Sequence, residues 1–238
     1  DNMYSQLMSE ILGLIPARGG SKGIQRKNIC ELAGRPLIDY SINASNKSHT
    51  VDRTIVSTDS EEIATVAREC NAEVPFARPA ELATDEAPTE PVVEHAINWL
   101  ESDGIDIETI ILLQPTSPLR TADHIDEAFE VYQTPDVDSV VSVYPDHSYR
   151  WIQDSNAAER INYDHNRTRR QEKNPEYVEN GAIYIVSAET FLQKEKILTG
   201  RTKLYIMNKL VSIDIDEPVD LDLAKSIINS GYQEKYEY

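Results

Sequence analysis

The stretch Ile11 to Asn28 reads Ile-Leu-Gly-Leu-Ile-Pro-Ala-Arg-Gly-Gly-Ser-Lys-Gly-Ile-Gln-Arg-Lys-Asn, and it narrows the folds open to this chain. Its apolar run, Ile11 to Ile15, has the length and bounding signals of a buried first strand. Pro16 ends the run, and a loop holding Gly19, Gly20 and Gly23 follows. Glycine allows close backbone approach to a ligand, and successive N–H groups in such a loop make an anion-binding concavity. Arg18, Lys22, Arg26 and Lys27 add four cations within ten residues. A triphosphate needs that combination. The competing reading is a basic surface loop between a strand and a helix, because a glycine pattern alone is weak evidence. The loop is not a Walker A motif, since the Gly-Lys-Ser/Thr order is missing, and no Gly-x-Gly-x-x-Gly dinucleotide fingerprint is present.

The cations matter more because the chain is acidic. Its 238 residues carry a formal charge of −18, which argues against nucleic acid and anionic membranes as partners. The length suits one α/β domain, and 40% hydrophobic residues support a sizeable core. Cys30 and Cys70 are too few for a disulfide framework and fit a reducing compartment. No apolar run reaches membrane-spanning length. Residues 1–8 lack the basic-then-apolar plan of a signal peptide and read as a tag or a disordered start. Cytoplasmic location is the resulting expectation.

Strand and helix signals alternate along the rest. Pro36 stands at a first helical position before Leu37, Ile38 and Ile42. Arg53 to Ser57 reads as a strand, and Asp59 and Glu62 have capping-box spacing for a helix with Ile63, Val66, Ala67 and Cys70 inward. Glu73 to Phe76 reads as a short strand. Thr89-Glu90-Pro91 starts a helix, Thr109 to Leu113 is a strongly apolar strand, and Thr121 caps a helix with Ile125, Ala128, Phe129 and Tyr132 inward. Ser139 to Tyr144 is a further strand. The polar stretch 145–179 then carries Arg150, Arg160, Arg167, Arg169 and Arg170 without a core of its own, as a functional insert or a partner-packing arm would. Strands are expected again at Ala182 to Ser187, Lys203 to Met207 and Ser212 to Ile215, with a helix near Thr190. A last helix runs from Pro218, with Leu223, Ala224, Ile227 and Ile228 inward. The pattern predicts one domain over 9–238, built on a mostly parallel, Rossmann-like sheet with helices on both faces.

Ligands of such sheets bind beyond the carboxyl ends of the strands. The glycine loop, Gln114 to Arg120 and Asp214-Ile215-Asp216 all fall at such ends. Two aspartates two residues apart on an extended segment share a face, a donor set that suits Mg²⁺. Helix-capping aspartates before Pro218 are an equal alternative. Arginines at 167, 169 and 170 suggest capture of a carboxylate or of an acidic face. The five histidines show no metal-ligand spacing, and neither serine nor cysteine stands in a nucleophile context.

Ile15 to Gly23 with Arg26-Lys27-Asn28 resembles the N-terminal signature of the acylneuraminate cytidylyltransferases, the CMP-sialic acid synthetases. The same order continues through Val56-Ser57-Thr58-Asp59, Arg78 to Leu82, Leu113 to Arg120, Arg170-Gln171, Asn180 to Tyr184 and Ser212 to Asp216. The resemblance spans about Ile11 to Ile228. It implies a nucleotide-diphospho-sugar transferase sheet and a reaction in which CTP and a nine-carbon 2-keto sugar acid give a CMP-sugar and pyrophosphate, with Mg²⁺. Arg18, Ser21, Lys22, Lys27 and Asn28 would hold the triphosphate and ribose, with Arg18, Lys22, Lys27 and Asp216 as the catalytic set. Arg78 and Thr89 would read cytosine. Gln114, Arg150, Arg170 and Tyr184 would face the sugar, Arg170 taking its carboxylate, and Asp214 and Asp216 would bind the metal. The insert 145–179 would serve as a dimerisation arm in a homodimer, completing the partner's sugar site.

Gln25 replaces a proline common in relatives, Val178 stands where many bacterial sialic acid relatives carry arginine, and Arg150 replaces a lysine of some. These departures surround the sugar pocket and leave legionaminate, pseudaminate or an octulosonate as alternative acceptors. A non-catalytic nucleotide-binding protein of the same fold is the alternative of another class. It would not need the carboxylates and lysines that are all present here.

Overall fold

The computed structural model describes residues 9–21, 23–155, 157–163 and 174–231. In chain order the elements are β1 (Glu10–Pro16), β2 (Glu31–Leu32), β3 (Arg35–Pro36), α1 (Leu37–Lys47), β4 (Arg53–Ser57), α2 (Glu61–Glu69), α3 (Glu90–Ser102) and β5 (Ile107–Leu112). Then come α4 (Ala122–Tyr132), β6 (Ser139–Asp146), β7 (Trp151–Gln153), β8 (Ala158–Arg160), β9 (Glu176–Ser187), α5 (Ala188–Lys194), β10 (Thr202–Ile206) and α6 (Pro218–Asn229).

Alternation along the strands explains why helices cover both faces. Leu12 and Leu14 of β1, Ile55 of β4, and Ile110 and Leu112 of β5 pack with Val93, Ala96, Ile97 and Leu100 of α3 and Phe191 of α5. The intervening Ile15, Val56, Ile111 and Leu113 pack with Ile38 and Ile42 of α1, Ile63 and Ala67 of α2, and Ile125 and Ala128 of α4. Each such Leu or Ile removed from water contributes about 1.5–3 kcal/mol. Gly13 is needed on the α1 face, where an added Cβ would lie against Ser45 Oγ and 3.1 Å from Val51.

Among the described residues the main sheet has six strands in the order β10-β6-β9-β5-β1-β4. β1 is parallel to β4 and β5, and β10 is parallel to β6. β9 runs antiparallel to both of its neighbours. The path of the chain is the cause. β6 runs out of the sheet through Asp146, a β7–β8 hairpin follows, and the chain re-enters at Glu176, which pairs with Asp146. An out-and-back excursion delivers an antiparallel neighbour. The first and last residues of the stretch expected as an insert are thus sheet residues.

Several local expectations change. Ser212 to Ile215 is not a strand. Ser212 spends its hydroxyl on Asn208 O and its amide on Lys209 O, and Ile215 N reaches a single sheet-side carbonyl, Thr116 O, at 2.9 Å. Glu73 to Phe76 shrinks to one bridge, Ile55 to Glu73. α2 is capped by Ser60, whose Oγ accepts from Ile63 N at 3.4 Å, so Asp59 is left for another task. Pro36 lies just outside α1, at its N-cap. In α6, Ala224 is buried but Leu223 is half exposed. α4 keeps its Thr121 cap, with the His124 ring returning a contact to Thr121 N at 3.1 Å. Among the described residues no helix is long and apolar enough to cross a membrane.

Candidate active site

β1 is flanked by β4 on one side and by β5 on the other, and the helices leading to them, α1 and α3, lie on opposite faces. The order of the sheet therefore reverses between β1 and β5, and a crevice opens beyond their carboxyl ends. A cavity of about 290 Å³ lies there. Pro16, Arg18, Gly20 and Ser21 line it from the loop after β1, with Lys27 and Asn28 beside them. Arg78, Asp85 and Thr89 close a second wall, and Gln114, Pro115 and Thr116 after β5 form the third.

Elementary contacts hold the glycine loop open. Gly19 N donates to Asp59 Oδ1 at 2.8 Å, which is the task Asp59 performs in place of capping α2. Asn28 is buried and donates Nδ2 to Arg18 O at 2.9 Å, so its amide holds the loop's backbone. Gly23 lies against the carboxylate segment, where a Cβ would sit 2.5 Å from Asp216 O. Arg26 takes a left-handed conformation, φ 55°, and pairs with Glu62.

Arg78 is buried at the end of β4. Its Nε donates to Ser57 Oγ at 3.1 Å, its Nη2 donates to Ser57 O, and its own amide donates to Thr58 O at 2.8 Å. Burial lowers its pKa to about 10, with Asp59 opposing and Arg18 adding to the shift. Arg18 itself holds Asp85, Nη1 to Oδ1, at 2.6 Å. Asp85 is one of many acids in an acidic chain, directly followed by Glu86, and no sequence signal distinguishes it.

Asp214 and Asp216 lie beside the cavity rather than in its wall. Lys27 Nζ donates to Asp216 Oδ1 and to Ile215 O, both at 3.0 Å. The Asp214 carboxyl is pushed above the usual carboxylate range, chiefly by desolvation. A hydrogen bond with the Thr116 hydroxyl and the charge of Lys27 oppose this, while Asp216 and Asp220 reinforce it. Two hard carboxylates that repel one another beside a cavity lined by Arg18, Ser21 and Lys27 fit a small divalent cation, which takes one or two carboxylates and leaves its other positions to phosphates and water. Among the described residues no group of three or more His, Cys, Asp or Glu side chains is arranged to hold a metal.

The sugar-side residues divide. Tyr184 donates its hydroxyl to Glu179 Oε2 at 3.3 Å, and burial first, then Glu179 and Asp214, push its pKa to about 12. Tyr184 is therefore within electrostatic reach of Asp214. Arg150 is elsewhere: it bonds Asp146 Oδ2 at 3.1 Å and lies 3.6 Å from Glu176, at the base of the β7–β8 excursion. Lys22 and Arg170, with Arg167 and Arg169, lie outside the described residues.

A buried polar network beneath the cavity was not foreseen. Asn180 donates Nδ2 to Ser212 Oγ at 2.9 Å, and its Oδ1 accepts from Ser142 Oγ at 2.6 Å and Ala182 N at 3.1 Å. Ser117 Oγ donates to Asn180 O at 3.3 Å. Arg120 Nη1 donates to Ala182 O at 2.6 Å and to Gln114 O at 3.2 Å. The network ties β6, β9, the loop after β5 and the carboxylate segment together. Its members were visible only as parts of polar motifs, because which polar residue is buried is a tertiary property.

The family model described as Cytidylyltransferase matches residues 12–238. The N-acylneuraminate cytidylyltransferase of Escherichia coli O18:K1:H7 is 36% identical over 234 residues, covering 96% of this chain and 54% of that protein. The CMP-N,N'-diacetyllegionaminic acid synthase of Legionella pneumophila is 35% identical, covering 92% of this chain and 96% of that protein. The chain thus spans about half the length of the first relative and nearly all of the second. A solved CMP:2-keto-3-deoxy-manno-octonic acid synthetase complexed with CTP superposes with a TM-score of 0.68 at 14% identity, covering 94% of this chain and all of that one, a likeness of fold. With the sheet, its switch-point cavity and a family match over nearly the whole chain, this protein belongs to the cytidylyltransferase family.

Proposed function

We propose that this chain transfers CMP from CTP to the anomeric hydroxyl of a nonulosonate sugar acid and releases pyrophosphate. The observation that carries the reading is one cavity at the strand switch point, walled by Arg18, Ser21, Lys27, Asn28, Arg78, Thr89 and Gln114, with Asp214 and Asp216 at its margin. The names of the two relatives support a sugar acid of this class.

The chemistry asked of the residues is positioning and charge neutralisation. The loop N–H groups from Gly20 and Ser21, with Arg18 and Lys27, hold the triphosphate. Lys22 joins them on the strength of the resemblance. Arg78 and Thr89, which also line the cavity, read the base. Gln114 and Tyr184 orient the sugar, whose carboxylate goes to Arg170. Asp214 and Asp216 would hold Mg²⁺, which when bound would supply neutralisation of phosphate charge and activation of the attacking hydroxyl. Lys27, which lines the cavity, already holds Asp216 beside it.

The enzyme acts in the cytoplasm, in keeping with its free Cys30 and Cys70. It works as a homodimer through the β7–β8 excursion. Trp151, Ile152 and Ile161 there are more than half exposed, at 51%, 57% and 59%, an apolar surface that a second copy would cover.

The test is pyrophosphate release with Mg²⁺ and CTP across N-acetylneuraminate, legionaminate, pseudaminate and deoxy-octulosonate, with UTP and ATP as controls. Release with CTP and one nonulosonate establishes reaction and acceptor. CTP binding without release from any acid would move the chain to a binding role, and no CTP binding would overturn the reading.

A further inference from the structure

Arg120 is fully buried, and no carboxylate among the described residues pairs with it. Among the described residues Nε and Nη2 have no hydrogen-bond partner, while Nη1 reaches two main-chain oxygens, Gln114 O at 3.2 Å and Ala182 O at 2.6 Å. A buried cation without a counter-charge is unfavourable for a fold, and an apolar side chain of similar volume would pack there at less cost. Packing therefore gives no reason for a guanidinium. Its connections do. Gln114 opens the third wall of the cavity, directly after β5, and its carbonyl also accepts from Ser41 Oγ of α1 at 3.3 Å. Ala182 is two residues before Tyr184 on β9 and directly follows Gly181, which takes φ +70°. One donor thus joins the loop that borders the nucleotide cavity to the strand that carries Tyr184.

We propose that Arg120 is a positioning residue of the transfer reaction, joining the Gln114 and Ala182 carbonyls so that the loop after β5 and the strand carrying Tyr184 keep one register. This rests on the cytidylyltransferase reading, so its test includes a measurement that needs no turnover. Arg120→Met keeps the volume and removes the donors, and Arg120→Lys keeps a charge and donors that can reach one or both carbonyls. At a temperature where circular dichroism shows the variants folded, Arg120→Met should lower kcat about tenfold or more, the size of a lost charge-assisted hydrogen bond. Arg120→Lys should recover most of that loss. The KM for CTP should change less than threefold in both. Amide hydrogen exchange should rise together at residues 114–117 and 181–184 in Arg120→Met, whether or not any acceptor sugar is turned over. A folded Arg120→Met with normal kinetics and unchanged exchange would overturn the proposal. So would failure of both variants to fold, which would assign Arg120 to stability alone. If the wild type itself releases no pyrophosphate, the enzyme reading fails, and the exchange measurement still decides whether Arg120 couples the two segments.

Discussion

Lys27 Nζ lies 3.0 Å from Asp216 Oδ1, which links the first loop of the chain to a segment 189 residues later. The lysine is mostly buried and the aspartate mostly exposed, so the pair fixes the direction of the carboxylate, and among the described residues no second cation pairs with it. Asp216→Asn should lower Mg²⁺-dependent turnover about 100-fold, equivalent to about 2.7 kcal/mol of transition-state stabilisation. Steady-state rates over a Mg²⁺ titration would check this, and full turnover at ordinary Mg²⁺ would remove Asp216 from the metal role.

Asp85 occupies Arg18 at 2.6 Å, and a triphosphate that uses Arg18 must compete with it. Both side chains are about one-third exposed, so solvent screens the pair and its worth is about 0.2–1 kcal/mol. Asp85→Asn should therefore lower the KM for CTP by no more than about fivefold. A raised KM would mean that Asp85 supports the bound nucleotide instead of competing with it.

Gly23 and Gly20 separate two uses of glycine in one loop. A Cβ at Gly23 meets the backbone oxygen of Asp216 at 2.5 Å, whereas one at Gly20 meets nothing within 4 Å. Gly23→Ala must push the loop from the carboxylate segment, a disturbance of about 1–3 kcal/mol. Thermal melts should show Gly23→Ala destabilised and Gly20→Ala melting with the wild type. Equal melting of all three would contradict the close approach.

Asp146 anchors the base of the excursion from β6. Hydrogen bonds from Ser148, against a small desolvation cost, and then from Arg150, with the charge of Lys209, hold its pKa at about 2, below the ordinary 3.8. A depressed carboxylate stabilises the fold above its unfolded value and loses that contribution as pH falls through the folded one. The stability difference between wild type and Asp146→Asn should therefore be full above pH 5 and shrink between pH 4 and about 2. Denaturant midpoints over that range would check it, and a difference independent of pH would show that the charge of Asp146 is not what matters.

Much of this molecule is local chemistry that a sequence displays. Alternation of Leu12, Leu14 and Ile15 about Gly13 specifies a strand buried on both faces, and Thr121 marks the start of α4. Apolar period, caps and glycine spacing act over a few residues, so they can be read without knowing the neighbours. They led to the α/β class, to the glycine loop after β1, and to Gln114 at a strand end. The direction of β9 depended on where the chain returns after its excursion, which no local pattern records. Ser212 to Ile215 looks like a strand in isolation. It lost that conformation because its polar groups found Asn208, Lys209 and Asn180 instead of a ladder. Asp59 turned from a helix cap to Gly19, Asp85 met Arg18, and Arg120 was enclosed with two carbonyls for partners. Charged and polar side chains take whatever partner the packed backbone brings within about 3 Å. Their identity is written in the sequence, and their chemistry was decided only when segments up to 189 residues apart came together.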